Sequence, residues 1–217
     1  MQAGSQMGAQ LGTQINEVRR ELGSRVVEAR EAMELTISQT YDAEPADVWA
    51  AVTDPERIPR WFLPVSGELS LGGRYQLEGN AGGTVTACDP PHGFDATWEF
   101  GGGVSWIEVR LVAEPDGRTR FTLTHLAHPE EHWATYGPGA VGIGWDLGIL
   151  GLARHLGSGV PAPDPAAGPA WMASAEGRAY STASGEAWYA AHVAAGQDAA
   201  TARAAADRAI AAYTAAG

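Results

Sequence analysis

Three of the six histidines fall in one stretch, "THLAHPEEHW", where His125, His128 and His132 stand beside Glu130 and Glu131. An imidazole titrates near neutral pH, so it can orient a ligand oxygen, act as a general base or hold a metal ion. Alternation along "RTRFTLTHLAH" puts Phe121, Leu123 and His125 on one face of a strand, which turns His125 inward. Three roles stay open for it: a core residue with one satisfied hydrogen bond, a polar group orienting a bound molecule, or a base paired with Asp146. Asp146, in "GIGWDLGIL", is a carboxylate among apolar residues and needs a partner, either His125 or a structural one. The spacings of three and four among the clustered histidines resemble metal-ligand spacings, yet Pro129 breaks the helix that would align His128 with His132. A solvated loop is the preferred reading, and neither a metal ion nor another cofactor is expected.

Other chemistry is sparse. Cys88 is the single cysteine, so no internal disulfide forms, and its place before "DPPHG" marks it as a strand-end residue. The doublets Gly72-Gly73 and Gly82-Gly83 and the run Gly101 to Gly103 lie between strand-like segments and read as turns, with no nucleotide fingerprint. Neither a Gly-x-Ser-x-Gly elbow, a His-Glu-x-x-His pair nor two catalytic acids occur, so no catalytic residue is assigned. The net charge of −12 argues against nucleic acid or an anionic membrane as partner, since both are bound through excess Lys and Arg. No run of eighteen apolar residues and no signal-like start are seen, and with the lone cysteine this predicts a cytoplasmic protein.

The elements that must position these groups come from periodicity. "ELTISQTY" alternates, with Leu35, Ile37, Gln39 and Tyr41 on one side, and reads as a half-buried strand. Before it, "INEVRR" is compatible with a strand and "ELGSRVVEAREAM" with a turn or helix. "AEPADVWAAVTD" reads as a short helix with Pro45 in its first turn, and "PERIPRWF" as a second, ended by Pro64, with Ile58, Trp61 and Phe62 on one face. From Gly67 to His128, alternating segments joined by "NAGG", "DPPHG", "GGG" and "PDG" predict an antiparallel meander. Its inward set is Tyr75, Leu77, Val85, Ala87, Phe94, Ala96, Trp98, Ile107, Val109, Leu111, Phe121, Leu123 and His125. A helix over Ala140–Leu156 is apolar nearly all round and must be covered on more than one side. After "GSGVPAPDPAAGPA", two helices split at Gly196, with Asp198 as N-cap, carry Trp171, Tyr180, Trp188 and Tyr189 as packing surface.

The order strand, two short helices, meander and long helix, with the wording "YDAEPADVWAAVTDPERIPRWF", "GELSLGGRYQLEG", "GGTVTACDPPHGFDATWEF" and "RTRFTLTHLAH", resembles the START-like (SRPBCC, helix-grip) superfamily. Within it the chain is similar to the branch named for activators of a heat-shock chaperone ATPase. The resemblance implies an α+β helix-grip fold, a curved antiparallel sheet around a long C-terminal helix, here with an added C-terminal helical extension. The resemblance covers about Leu35 to Leu156, so the chain is expected to divide into an N-terminal segment (1–33), partly strand or disordered, a START-like domain (34–156), a linker (157–170), and an extension (171–217) that the resemblance does not explain. The all-round apolar helix and the aromatics Trp171, Tyr180, Trp188 and Tyr189 predict that the extension packs on the domain or on a dimer partner.

A cavity between sheet and helix is implied, with Trp61 and Phe62 at its mouth as a partial lid or as packing between short helices and sheet. The expected ligand-binding residues are Trp61, Phe62, Tyr75, Trp98, His125, Trp145 and Ile149. The superfamily includes lipid and hormone carriers, polyketide cyclases, chaperone regulators and many bacterial proteins. Three functions are therefore expected in order: binding a small, mostly apolar molecule; acting as a protein-interaction module that regulates a chaperone ATPase or other partner; and cyclase- or hydrolase-like catalysis by His125 with Asp146.

Overall fold

The structure, a computed structural model, describes residues 12–157 and 168–215. Its elements run α1 (residues 12–17), β1 (Arg19–Val27), β2 (Arg30–Tyr41), α2 (Pro45–Thr53), a 3-10 turn (Ile58–Arg60), β3 (Val65–Gly67), β4 (Arg74–Leu77), β5 (Gly82–Asp89), β6 (Gly93–Phe100), β7 (Gly103–Ala113) and β8 (Thr119–Ala127). Then come α3 (Glu131–Tyr136), α4 (Gly139–Leu156), α5 (Gly168–Met172), α6 (Ala175–Ala194) and α7 (Ala199–Thr214). The strands form one antiparallel sheet in the order β1-β2-β8-β7-β6-β5-β4-β3. With its long helix this is the α+β helix-grip arrangement.

Burial follows the predicted alternation through most of the sheet: Leu35, Ile37, Gln39 and Tyr41 of β2 are buried, as are Ile107, Val109 and Leu111 of β7 and Phe121, Leu123 and His125 of β8. The structure corrects the reading in four places. "ELGSRVVEAREAM" is neither helix nor turn alone; it is a β-hairpin, β1 into β2, turned at Glu28 and Ala29 with φ of 50° and 61°. Such a turn needs two left-handed residues, usually Asn or Gly, so Glu-Ala gave no turn signal. "INEVRR" begins helical in α1 and enters a strand only at Arg19. A register shift in β5 between Val85 and Ala87 turns Ala87 out to solvent. Gly82 and Gly83 lie inside β5, not in a turn, and a Cβ on Gly83 would fall 2.0 Å from the Thr97 carbonyl oxygen. Of the expected linker, residues 158–167 lie outside the described residues, as do residues 1–11 of the expected N-terminal segment.

The described residues form two compact bodies: 12–37, 129–150 and 168–215 in one, 38–128 and 151–157 in the other. In the first, Asp146 is fully buried on α4, and its carboxylate accepts from Arg20 Nη2 (2.6 Å) and Nε (3.0 Å), Ser184 Oγ (2.5 Å) and Trp188 Nε1 (2.8 Å). The same guanidinium donates through Nη1 to the carbonyls of Ile15 and Val18. Tyr180 on α6 donates to the Asp146 carbonyl at 3.0 Å, and its ring joins Ile15 and Leu150 in a buried cluster.

Glycines on α4 permit this packing: a Cβ at Gly142 would lie 2.4 Å from the Trp188 indole, and one at Gly139 would lie 2.7 Å from Ala209 of α7. α7 buries an alanine face, Ala202, Ala205, Ala206 and Ala209, and starts at Asp198, whose carboxylate caps the Thr201 N–H. In the second body, α2 packs on β7 and β8 through buried Val48, Ala51 and Val52.

Removing one partner of a buried ion pair strands the other charge, at a cost of about 3–5 kcal/mol. Arg20→Met is therefore expected to lower the stability of the full chain by about that much in urea unfolding, whereas Arg19→Met, which loses an exposed pair with Glu21, changes it by under about 1 kcal/mol. Equal effects of the two variants would show that the Asp146 network does not hold the first body together.

Candidate functional site

Three adjacent strands of the second body bring Trp98 (β6), Ser105 (β7) and His125 (β8) together. Pairing sets Trp98 opposite Ser105 and Ile107 opposite His125. His125 is only 5% exposed, and its Nε2 lies 2.9 Å from Ser105 Oγ. Ser105 Oγ also donates its hydroxyl proton to the Trp98 carbonyl at 3.0 Å. A hydroxyl with its one proton committed can only accept from the imidazole, so Nε2 carries the ring proton and Nδ1 the lone pair. Burial pulls the imidazole pKa down to about 4, so the ring is neutral at pH 7. Its face tilts towards the Trp98 ring, with centroids 6.2 Å apart. The site thus holds a neutral imidazole–hydroxyl pair among Ile107, Val109, Leu123 and Trp98, with no charged group in the pair.

Tyr75 lies on β4 with its hydroxyl donating to the Thr97 carbonyl at 2.7 Å, and burial, with the Glu99 carboxylate adding to it, pushes the phenol pKa well up. Trp61 and Phe62 are stacked at 5.3 Å directly after the 3-10 turn, which replaces the longer second helix expected there. The Trp61 indole N–H donates to the Ala51 carbonyl at 2.8 Å, and a Cβ on Gly151 would come within 2.2 Å of the Trp61 carbonyl oxygen. Trp61 is therefore anchored to α2 and Phe62 stacks on it, both half-buried. Near them Arg57 holds the His155 imidazole (3.2 and 3.3 Å) and pairs with Asp47. Partial burial first, then the Arg57 and Arg60 charges, lower the His155 pKa.

Other candidates lie elsewhere. Trp145 and Ile149 belong to the first body, Ile149 buried and Trp145 half-buried on α4. Asp146 is not the partner of His125: its carboxylate oxygens are filled by Arg20, Ser184 and Trp188, because those donors neutralise and solvate the charge within its own body. His128 packs edge-on against Trp106 at 5.2 Å, and His132 lies tilted against Tyr136 at 4.8 Å. Cys88 is exposed. Sequence reasoning missed Ser105, although the alternation that turned Ile107 and Val109 inward extends back to it. It also missed Arg20, for which periodicity gave no signal.

The model of the family "Activator of Hsp90 ATPase homolog 1-like protein" matches residues 42–157, just over half of the chain. The crystal structure of CalU16 from Micromonospora echinospora is 34% identical over 80% of this chain and 97% of its own, with a TM-score of 0.64. Its solution structure, also 34% identical, covers 82% and 96%, with a TM-score of 0.68. Protein MLL2253 from Mesorhizobium loti shares the fold at 19% identity and a TM-score of 0.51, over 57% of this chain and 96% of its own. No curated protein sequence matches the chain. Among the described residues no helix is long and apolar enough to cross a membrane. The family match spans α2, the meander and all of α4, and so takes in the strands that carry the histidine–serine pair; the chain belongs to the Activator of Hsp90 ATPase homolog 1-like family within the START-like superfamily.

Proposed function

We propose that this protein binds a small, mostly apolar molecule on the inward face of the sheet in its second body, in the cavity that a helix-grip arrangement implies. The observation that carries this reading is buried His125 paired with half-buried Ser105 among apolar and aromatic neighbours. Small-molecule sites combine apolar walls with a few placed polar groups. The neutral pair can orient a ligand hydroxyl, carbonyl or N–H without a charge that would oppose an apolar guest. Trp98 and Tyr75 supply wall, and Phe62, stacked on an anchored Trp61, is the movable part of the entrance. Within this reading residues 34–156 are the binding domain and 171–217 its extension, and the protein works in the cytoplasm.

A second reading follows from the family's name: regulation of a chaperone ATPase through a protein surface. Native mass spectrometry of the freshly purified full chain separates the two. A co-purified small molecule that is absent from His125→Ala supports ligand binding. An empty protein that changes the ATPase rate of an Hsp90-class chaperone supports the second reading.

Two further outcomes are expected. Trp61→Ala, which loses a hydrogen bond and a large half-buried ring, should cost about 2 kcal/mol, below the about 3–5 of a fully buried aromatic. Phe62→Ala should cost less and instead change ligand on- and off-rates in stopped-flow fluorescence; equal stability losses would make both residues packing. The pH dependence of stability has a defined sign. His125 takes up a proton near pH 6.5 when unfolded but only near pH 4 when folded, so the unfolded state binds more protons between those values. Stability should fall as pH drops through that window, by on the order of 3 kcal/mol for the full shift, and be unaffected by this group above pH 6.5. His125→Gln should lose less stability than the parent between about pH 7 and 4.5 in thermal melts; identical slopes would mean that His125 is not buried in its neutral form.

A further inference from the structure

The sheet ends in two unlike edges. β3, at one, is three residues long, whereas β1, at the other, has nine and contains neither proline nor lysine. Proteins blunt edges with short strands, prolines, charged side chains or a covering helix, because free N–H and C=O groups template a further strand. β3 is blunted by its length; β1 carries Arg19, Arg20, Glu21 and Arg25 but is long enough to pair, with most of its side chains exposed. β1 also carries Val26, 73% exposed, the most exposed of the large apolar side chains among the described residues.

We propose that β1 pairs with β1 of a second copy of this chain, antiparallel about a twofold axis at Gly23, so that two sheets join edge to edge. An axis normal to the sheet keeps inward and outward faces aligned, so residues of equal parity come opposite one another. The register centred on Gly23 opposes all nine residues of β1, with Glu21 facing the partner's Arg25 and Arg25 facing the partner's Glu21. Opposite charges directly across a ladder are favourable and like charges are not.

Sliding the register by two residues one way sets Arg19 against the partner's Arg25, twice. Sliding it the other way removes every opposite-charge pair. In the Gly23 register the exposed Val26 lies opposite the partner's Arg20 and diagonal to the partner's Leu22, which would cover it. Gly23 presents no side chain at the axis, and even a Cβ there would meet nothing closer than 3.9 Å. The strand is already fixed, through Arg20 on Asp146 and through α6 packed against it, so pairing orders little that is not ordered already.

The test uses the full chain without ligand, so its failure leaves the binding reading untouched. Sedimentation velocity between about 1 and 100 μM, a range in which weak dimers dissociate, should show a species of twice 22.7 kDa at the upper end. Glu21→Arg or Arg25→Glu alone should raise the dimer dissociation constant by about tenfold or more, and the two together should restore it to within about threefold. Glu21→Arg also loses the pair with Arg19, and Arg25→Glu the 3.2 Å pair with Glu34, so a cysteine pair decides independently of folding. In a Cys88→Ser background, Gly23→Cys should give a disulfide-linked dimer under mild oxidation, whereas Val27→Cys, far from its own copy in this register, should not. A monomer at all concentrations without a Gly23→Cys crosslink overturns the proposal. So does a dimer indifferent to both charge reversals, or equal crosslinking of the two cysteine variants.

Discussion

A carboxylate with no access to water sets the terms for the first body. Burying Asp146 is tolerable only because a guanidinium, a hydroxyl and an indole N–H all reach it from other elements of the chain. Arg20 comes from β1, Ser184 and Trp188 from α6. The desolvation of an unpaired charge would cost several kcal/mol, so the hairpin, α4 and the terminal helices have to be in place together. Arg20 is itself completed by the Ile15 and Val18 carbonyls, which draws the chain before β1 into the same arrangement. A tail built largely from alanine and other small residues thereby gains a specific seat, with Gly142 making room for the Trp188 ring.

The second body handles its buried titratable group the other way. His125 has no charge to balance, since burial holds it neutral, and one hydroxyl is enough to fix its tautomer. A neutral imidazole is compatible with an apolar guest, while an ion-paired carboxylate locked into a hydrogen-bond network is not free to do chemistry. That contrast is why the two residues that might have formed a dyad serve different ends. Asp146 stabilises, and His125 is left as the polar mark on an apolar wall.

Much of this was legible in the sequence because it depends on local periodicity. Alternation placed His125, Tyr75, Leu77 and most of the inward sheet face, and it would have placed Ser105 had it been followed two residues further back. Gly196 and Asp198 marked the break and cap between α6 and α7, since caps are short-range hydrogen bonds. The family wording from Tyr41 to His128 carried the fold. What failed were places where local chemistry is silent or overridden. Glu28-Ala29 turns a hairpin without a turn residue, a bulge in β5 flips Ala87 after correct alternation, and Gly82 and Gly83 look like a turn while sitting in a strand.

The sequence by itself determined most of the order of elements, the inward histidine and the need for Asp146 to find a partner, because period, caps and the cost of a buried charge are properties of the local chain. Only the tertiary structure decided who that partner is. Arg20, Asp146, Ser184 and Trp188 are scattered over most of the chain's length, and no periodicity links them. The choice between His125 and Arg20 depended on which body each group folds into, and that is set by packing over the whole chain.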